Sequence, residues 1–221
     1  MSRTIRISSL RIGLVGLLLM AGQVTAQQAV QQTAQQTAQQ TVMEKSALVA
    51  VEESTSQLLA KLIEIKPLYA EQPEQFFTRV ESSLAPFIDF TGFSRGVMAK
   101  YYRRATDEQK IRFETVFRQK MVRTYAKALV EFDNERVEVV EGAAPRSNPE
   151  RAAIDLRVHS KEGTVYTINY SMVLVDTRWM LRNVTIEGIN IGLQFRSQFA
   201  AYMDKYSNSI DDVIDNWVVD V

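Results

Sequence analysis

The stretch VYTINYSMVLVDTRWMLRNVTI, Val165 to Ile186, decides the fold. Tyr166, Ile168, Tyr170, Met172 and Leu174 alternate with polar or outward positions, the period of a half-buried strand. Asp176-Thr177 then interrupts the pattern as a turn. Trp179 and Leu181 resume it, but the next apolar residues are Val184 and Ile186, so the phase slips by one. Such a slip predicts a β-bulge near Arg182 and Asn183 that bends the strand.

Upstream, Val137 and Val139, then Ile154, Leu156 and Val158, show the same period of two, separated by the loop-forming GAAPRSNPE. These segments predict a four-stranded antiparallel meander with one apolar face. Farther toward the N-terminus the period becomes 3.6. Leu48, Val51, Leu58, Leu59 and Leu62 predict a helix from Met43 to about Ile65, ended by Pro67. A second helix is expected from Pro73 to Leu84 and a third from Gly92 to Arg103. Thr106 and Gln109 have the spacing of a capping box, opening the longest helix, which ends near Phe132. Two closing helices, Leu193 to Tyr206 and Ile210 to Val218, complete an α+β domain over residues 43–221.

The 221 residues are 46% hydrophobic and 24% charged, which excludes disorder throughout. Lys+Arg and Asp+Glu balance at 26 each, so nothing points to a nucleic-acid surface. With no cysteine, a disulfide scaffold, a thiolate metal site, a cysteine nucleophile and a lipoprotein anchor are excluded. Arg3, Arg6 and Arg11 precede the apolar run IGLVGLLLMAG, and Val24-Thr25-Ala26 offers small residues for cleavage. Residues 1–26 read as a secretory signal cleaved after Ala26, the apolar run falling short of the ~20 residues a membrane span needs. Cleavage removes three arginines and no acid, so the exported chain has a formal charge of about −3. Residues 27–42, rich in Gln-Gln pairs, read as a flexible leader.

His159 is the only histidine. Strand parity places it with Asp155 and Arg157, opposite Ile154, Leu156 and Val158, two strand steps from Asp155. That separation does not favour direct contact, and no nucleophile elbow accompanies them. The inward strand positions hold no acid, and Asp211-Asp212, being adjacent on a helix, diverge. The sequence reads as no enzyme.

Two blocks carry a family resemblance: FIDFTGFSRGVMAKYYRRATDEQKIRFETVFRQKMVRTYAKALVEF (Phe87 to Phe132) and WMLRNVTIEGINIGLQFRSQF (Trp179 to Phe199). The first has paired tyrosines, Ala-Thr-x-x-Gln, Phe-x-x-x-Phe and Thr-Tyr-Ala-x-x-Leu. The second has Val-x-x-Glu-Gly and Arg-x-Gln-Phe. Over about Met43 to Tyr206 the chain resembles the MlaC family of periplasmic phospholipid carriers, also called the toluene-tolerance auxiliary family; the Gln-rich leader departs from that family's shorter N-terminus.

The resemblance implies a soluble, monomeric periplasmic shuttle with no cofactor. It would carry diacyl phospholipid between an outer-membrane MlaA-porin complex and an inner-membrane ABC transporter with a lipid-binding ring. The chain has no Walker-type loop, so energy would come from partners. Two tails hold roughly 30 methylenes, and exposing them costs on the order of 20 kcal/mol, so both must be enclosed. The curved sheet and the helices on either side of it in sequence would then enclose an apolar cavity. Its lining is expected from Val97, Met98, Tyr101, Phe117, Met121 and Tyr125 on the helices, from Tyr166, Ile168, Tyr170, Met172 and Leu174 on the third strand, and from Trp179, Leu181, Val184 and Ile186 on the fourth. The same spacings also describe an ordinary protein core. Arg95, Lys100, Arg103 and Arg104 read as a solvated helix face, with contact to a phosphate at the cavity mouth as the functional alternative. Gly188 reads as a turn, or as a hinge, and Arg196 as a helix-docking or partner residue. A non-catalytic, chaperone-like module whose apolar groove takes protein segments is the alternative of a different class.

Overall fold

A computed structural model describes residues 47–131, 136–142 and 148–219, all within one unit, Glu44–Val221. The expected signal and leader segments, residues 1–42, lie outside the described residues. Helix α1 occupies 47–65 and is followed by a single turn, α2 (Leu68–Glu71), that the sequence reading did not anticipate. Helix α3 (Pro73–Leu84) has the expected bounds, with its proline in the first turn where no amide partner is needed. The expected third helix divides: α4 (Phe90–Met98) gives way to a 3-10 segment, Ala99–Arg103. Ala99 makes the break at φ +50° and ψ −119°, a conformation that favours glycine. Ala99→Gly is therefore expected to raise the unfolding free energy by about 1 kcal/mol, read as a higher urea midpoint; a lower midpoint would refute the strain.

Helix α5 (Asp107–Glu131) begins with the anticipated capping box. The Gln109 amide donates to the Thr106 hydroxyl at 3.1 Å, and the Thr106 amide donates to Gln109 Oε1 at 3.0 Å. Strands β1 (Arg136–Glu141), β2 (Arg151–His159), β3 (Val165–Val175) and β4 (Arg178–Ile186) form the antiparallel meander. A short β5 (Ile189–Asn190) adds to β4, so the sheet has five strands rather than four. Asp176-Thr177 and Glu187-Gly188 are both left-handed, as two-residue hairpin turns require, which makes Gly188 (φ +81°) a turn residue. The bulge is where the phase slip put it: Ser171 pairs with Asn183 and Met172 with Leu181, leaving Arg182 as the extra residue.

The chain closes with α6 (Ile191–Lys205) and α7 (Ile210–Asp215), the latter shorter than expected. Arg112 on α5 pairs with Asp211 at 2.6 Å and Asp215 at 2.7 Å, one helical turn apart, so Asp211 docks α7. The core is largely aromatic. Phe93, Phe113, Phe117, Phe195, Phe199 and Trp217 come from α4, α5, α6 and the segment after α7 and touch ring to ring. Both α4 and α6 also pack on β4.

Candidate functional site

Register alone assembles one apolar sheet face. Val139 lies opposite Leu156, Leu156 opposite Ile168, and Ile168 opposite Ile186. Ile154, Tyr170 and Val184 form the next row, and Ala152, Met172 and Leu181 the one after. Leu174 and Trp179 finish it. Exposure grades along β3: Met172 is buried, Leu174, Tyr170 and Ile168 are half-buried, and Tyr166 is exposed. Burial pushes the Tyr170 phenol above its ordinary pKa, and that of Tyr125 likewise.

At the covered end, helix α1 lies over this face. Between them is a space of about 60 Å³, lined from α1 by Ala50, Val51, Ser54, Thr55 and Leu58. Leu84, Phe87 and Ile88 line its end, and Tyr170, Met172, Trp179 and Leu181 its floor. Among the described residues this face shows that small space and not the large enclosed apolar cavity that the resemblance implied. A space of this size falls far short of the roughly 300–1,000 Å³ of ordinary ligand cavities.

The fifteen expected lining residues divide into three groups. Tyr170, Met172, Trp179 and Leu181 meet at the space. Val97, Met98, Tyr101, Phe117 and Met121 are buried in the helical core, with Tyr125, Val184 and Ile186 packed against it. Ile168 and Leu174 belong to the sheet face without reaching the space, and Tyr166 lies at its exposed end. Sequence reasoning missed the α1 wall. Its signal was the run of small side chains Ala50, Ser54 and Thr55, which leaves room between helix and sheet.

The bulge secures this arrangement from the other side. Arg182 Nε donates to Asp89 Oδ2 at 2.6 Å, and Asp89 caps α4 by accepting from the Gly92 amide at 2.8 Å. Asn183 Oδ1 accepts from the Gly192 amide at 2.9 Å in the first turn of α6. A Cβ on Gly92 would fall against Asp89 Oδ2 and the Arg182 guanidinium, so any other residue there would have to displace this clamp. The segment before α4 also pairs with β4: the Leu181 amide donates to Phe87 O at 2.7 Å and the Asp89 amide to Leu181 O at 2.9 Å.

The polar candidates are dispersed. His159 Nε2 lies 3.3 Å from Glu138, whereas Asp155 accepts from Asn169 at 2.6 Å, so the two do not meet. Arg95 stacks on Tyr102, while Lys100 and Arg104 lie over Tyr101, with no acid among them. Among the described residues no group of three or more His, Asp or Glu is placed to hold a metal, and no helix is long and apolar enough to cross a membrane.

Comparison with known proteins places this geometry. The family model described as MlaC protein matches residues 52–218. Toluene tolerance protein ttg2D of Pseudomonas putida is 35% identical over 172 residues, 77% of this chain and 79% of that protein. The intermembrane phospholipid transport system binding protein MlaC of Haemophilus influenzae is 22% identical over 98 residues, 44% of this chain and 46% of that one. The solved structure of a phospholipid-binding protein from Ralstonia solanacearum in complex with a phospholipid has a TM-score of 0.70 at 20% identity. It covers 77% of this chain and 93% of its own, and shares the fold. The paired sequence blocks, the meander with its bulge and the matched family model agree: the chain belongs to the MlaC family.

Proposed function

We propose that this protein is a periplasmic carrier that binds a diacyl phospholipid by its acyl chains on the apolar sheet face and shuttles it between an outer-membrane MlaA-porin complex and an inner-membrane ABC transporter bearing a lipid-binding ring. The observation that carries the binding step is the sheet face itself, which runs from a covered end at Trp179 and Met172 to an exposed end at Tyr166. The names of the relatives, a toluene tolerance protein and a phospholipid transport binding protein, support the same reading.

Volume sets the mechanism. Ligand cavities run to roughly 300–1,000 Å³, and two tails need the upper part of that range. The space of about 60 Å³ is far smaller. Loading therefore separates α1 from β3 and β4, with Ala50, Ser54 and Thr55 giving way because their short side chains contribute little apolar contact. Met172, an unbranched thioether in the floor, accommodates chains of different length. The head group stays in water, since burying a phosphate would oppose release.

Organic extraction of the protein purified without detergent, followed by mass spectrometry, tests the reading. The expected result is diacyl phospholipid near one or two molecules per protein. Folded protein that contains none, and takes none from vesicles, would overturn it.

A further inference from the structure

A second and larger opening lies beside β4, at the mouth between α4 and α6. It measures about 370 Å³ and is walled by Gly92 and Gly96 of α4 and by Gly192 and Arg196 of α6, with Arg151 and Arg182 on the sheet. Strand parity puts it on the other side from the acyl space: Arg151 pairs with Val173 and Asn183 with Ser171, the positions between the inward residues. Three guanidinium groups line it and no acid does. Arg182 is neutralised by Asp89, whereas among the described residues the guanidiniums of Arg151 and Arg196 have no ion-pair or hydrogen-bond partner. Two uncompensated arginines converging from different elements are unexpected in a chain whose charges balance overall.

The helices add to the field. The first turns of α4 and α6 both open on the cleft, through Gly92 and Gly192, so two positive dipole ends face the same volume as the two free guanidiniums. Their first amides are already capped by Asp89, Asn183 and Asn190, which leaves the guanidinium forks as the donors for a ligand. A fork of this kind matches the oxygens of a phosphate and binds it in a bidentate manner. Gly96 contributes room: nothing lies within 4 Å of where a Cβ would stand.

We propose that the α4–α6 cleft is a phosphate-binding site, with Arg151 and Arg196 as its two ligands. The phosphate is either free in solution or part of a lipid head group, and the site stands whether or not acyl chains bind across β4.

Titration of the full-length exported chain with inorganic phosphate, followed calorimetrically, measures the first source. Co-sedimentation with phosphatidylglycerol vesicles, competed by inorganic phosphate, measures the second. The variants are Arg151→Gln, Arg196→Gln and the pair together, with Arg157→Gln as control from the same face of β2 but outside the cleft. Each cleft variant is expected to weaken binding about tenfold and the double variant to abolish it, the control staying like wild type. Phosphate binding that follows this pattern assigns free phosphate; vesicle binding alone that follows it assigns the head group. If neither ligand binds the wild type, or if Arg157→Gln weakens binding as much as the cleft variants, the site is refuted. Co-purified lipid per protein, measured on the same samples, reports the acyl site separately and is expected to be unchanged.

Discussion

Phe117→Ala is expected to lower the unfolding free energy by about 3–5 kcal/mol while leaving lipid per folded protein unchanged. Phe117 is fully buried, and its ring lies 5.3 Å from Phe93, 5.7 Å from Phe113, 5.4 Å from Phe195 and 6.4 Å from Trp217. It is the point at which α4, α5, α6 and the C-terminal segment meet. Truncation removes the transfer free energy of the ring, several aromatic contacts at ~0.5–1.5 kcal/mol each, and leaves a void that rigid neighbours fill poorly. A domain with about 5–15 kcal/mol in total loses a large share of it. Urea unfolding monitored by circular dichroism, beside lipid extraction in the cold, measures both halves. A loss below about 1 kcal/mol together with emptied protein would move Phe117 from the core to the lipid site.

Met172→Asp is expected to do the reverse, reducing bound lipid at least about tenfold in protein that still folds. Met172 is 6% exposed on the floor under α1, beside Tyr170, Trp179 and Leu181. A carboxylate there has no cation to pair with in the lining, so either it takes up a proton or it draws water into the path of the tails. Because the change also burdens the apo fold, Thr55→Lys supplies a second reading from the opposite wall, on a half-buried helix position. Circular dichroism establishes folding in both. Folded variants that retain full lipid would place the tails elsewhere.

These opposite expectations expose what the sequence could and could not say. Strand parity, the bulge and the capping box were legible because each is a local pattern: an interrupted alternation, or Thr106 and Gln109 three residues apart. Helix α3 was legible through Pro73 at its start and Pro86 beyond its end. The break at Ala99 was not, because Val97, Met98 and Tyr101 continue a helical stripe and an alanine carries no sign of positive φ. β5 was missed because two residues cannot display a period. The site was legible only in part, for a deeper reason. A side chain hidden from water has the same sequence signature whether its neighbour is a phenylalanine or an acyl chain, so Phe117 and Met172 looked alike. What separates them is partner identity across long stretches of chain, as with Phe117 against Phe195. The arginine cleft was hidden for the same reason, since Arg151 and Arg196 come together only in three dimensions.

The extra residue in β4 has a consequence for which lengths of this chain can exist. Leu181 and Val184 both face the apolar side although two residues stand between them, because Arg182 is outside the ladder. Deleting Arg182 would restore plain alternation and leave every other side chain of β4 on its present face, at the expense of the clamp on Asp89. Deleting a residue elsewhere within Trp179–Leu181 or Val184–Ile186 would turn part of the strand inside out. Among descendants of this gene, β4 should therefore tolerate a lost codon only at Arg182 or Asn183, and a lineage that lost Arg182 would keep Asp89 for its cap on α4 alone.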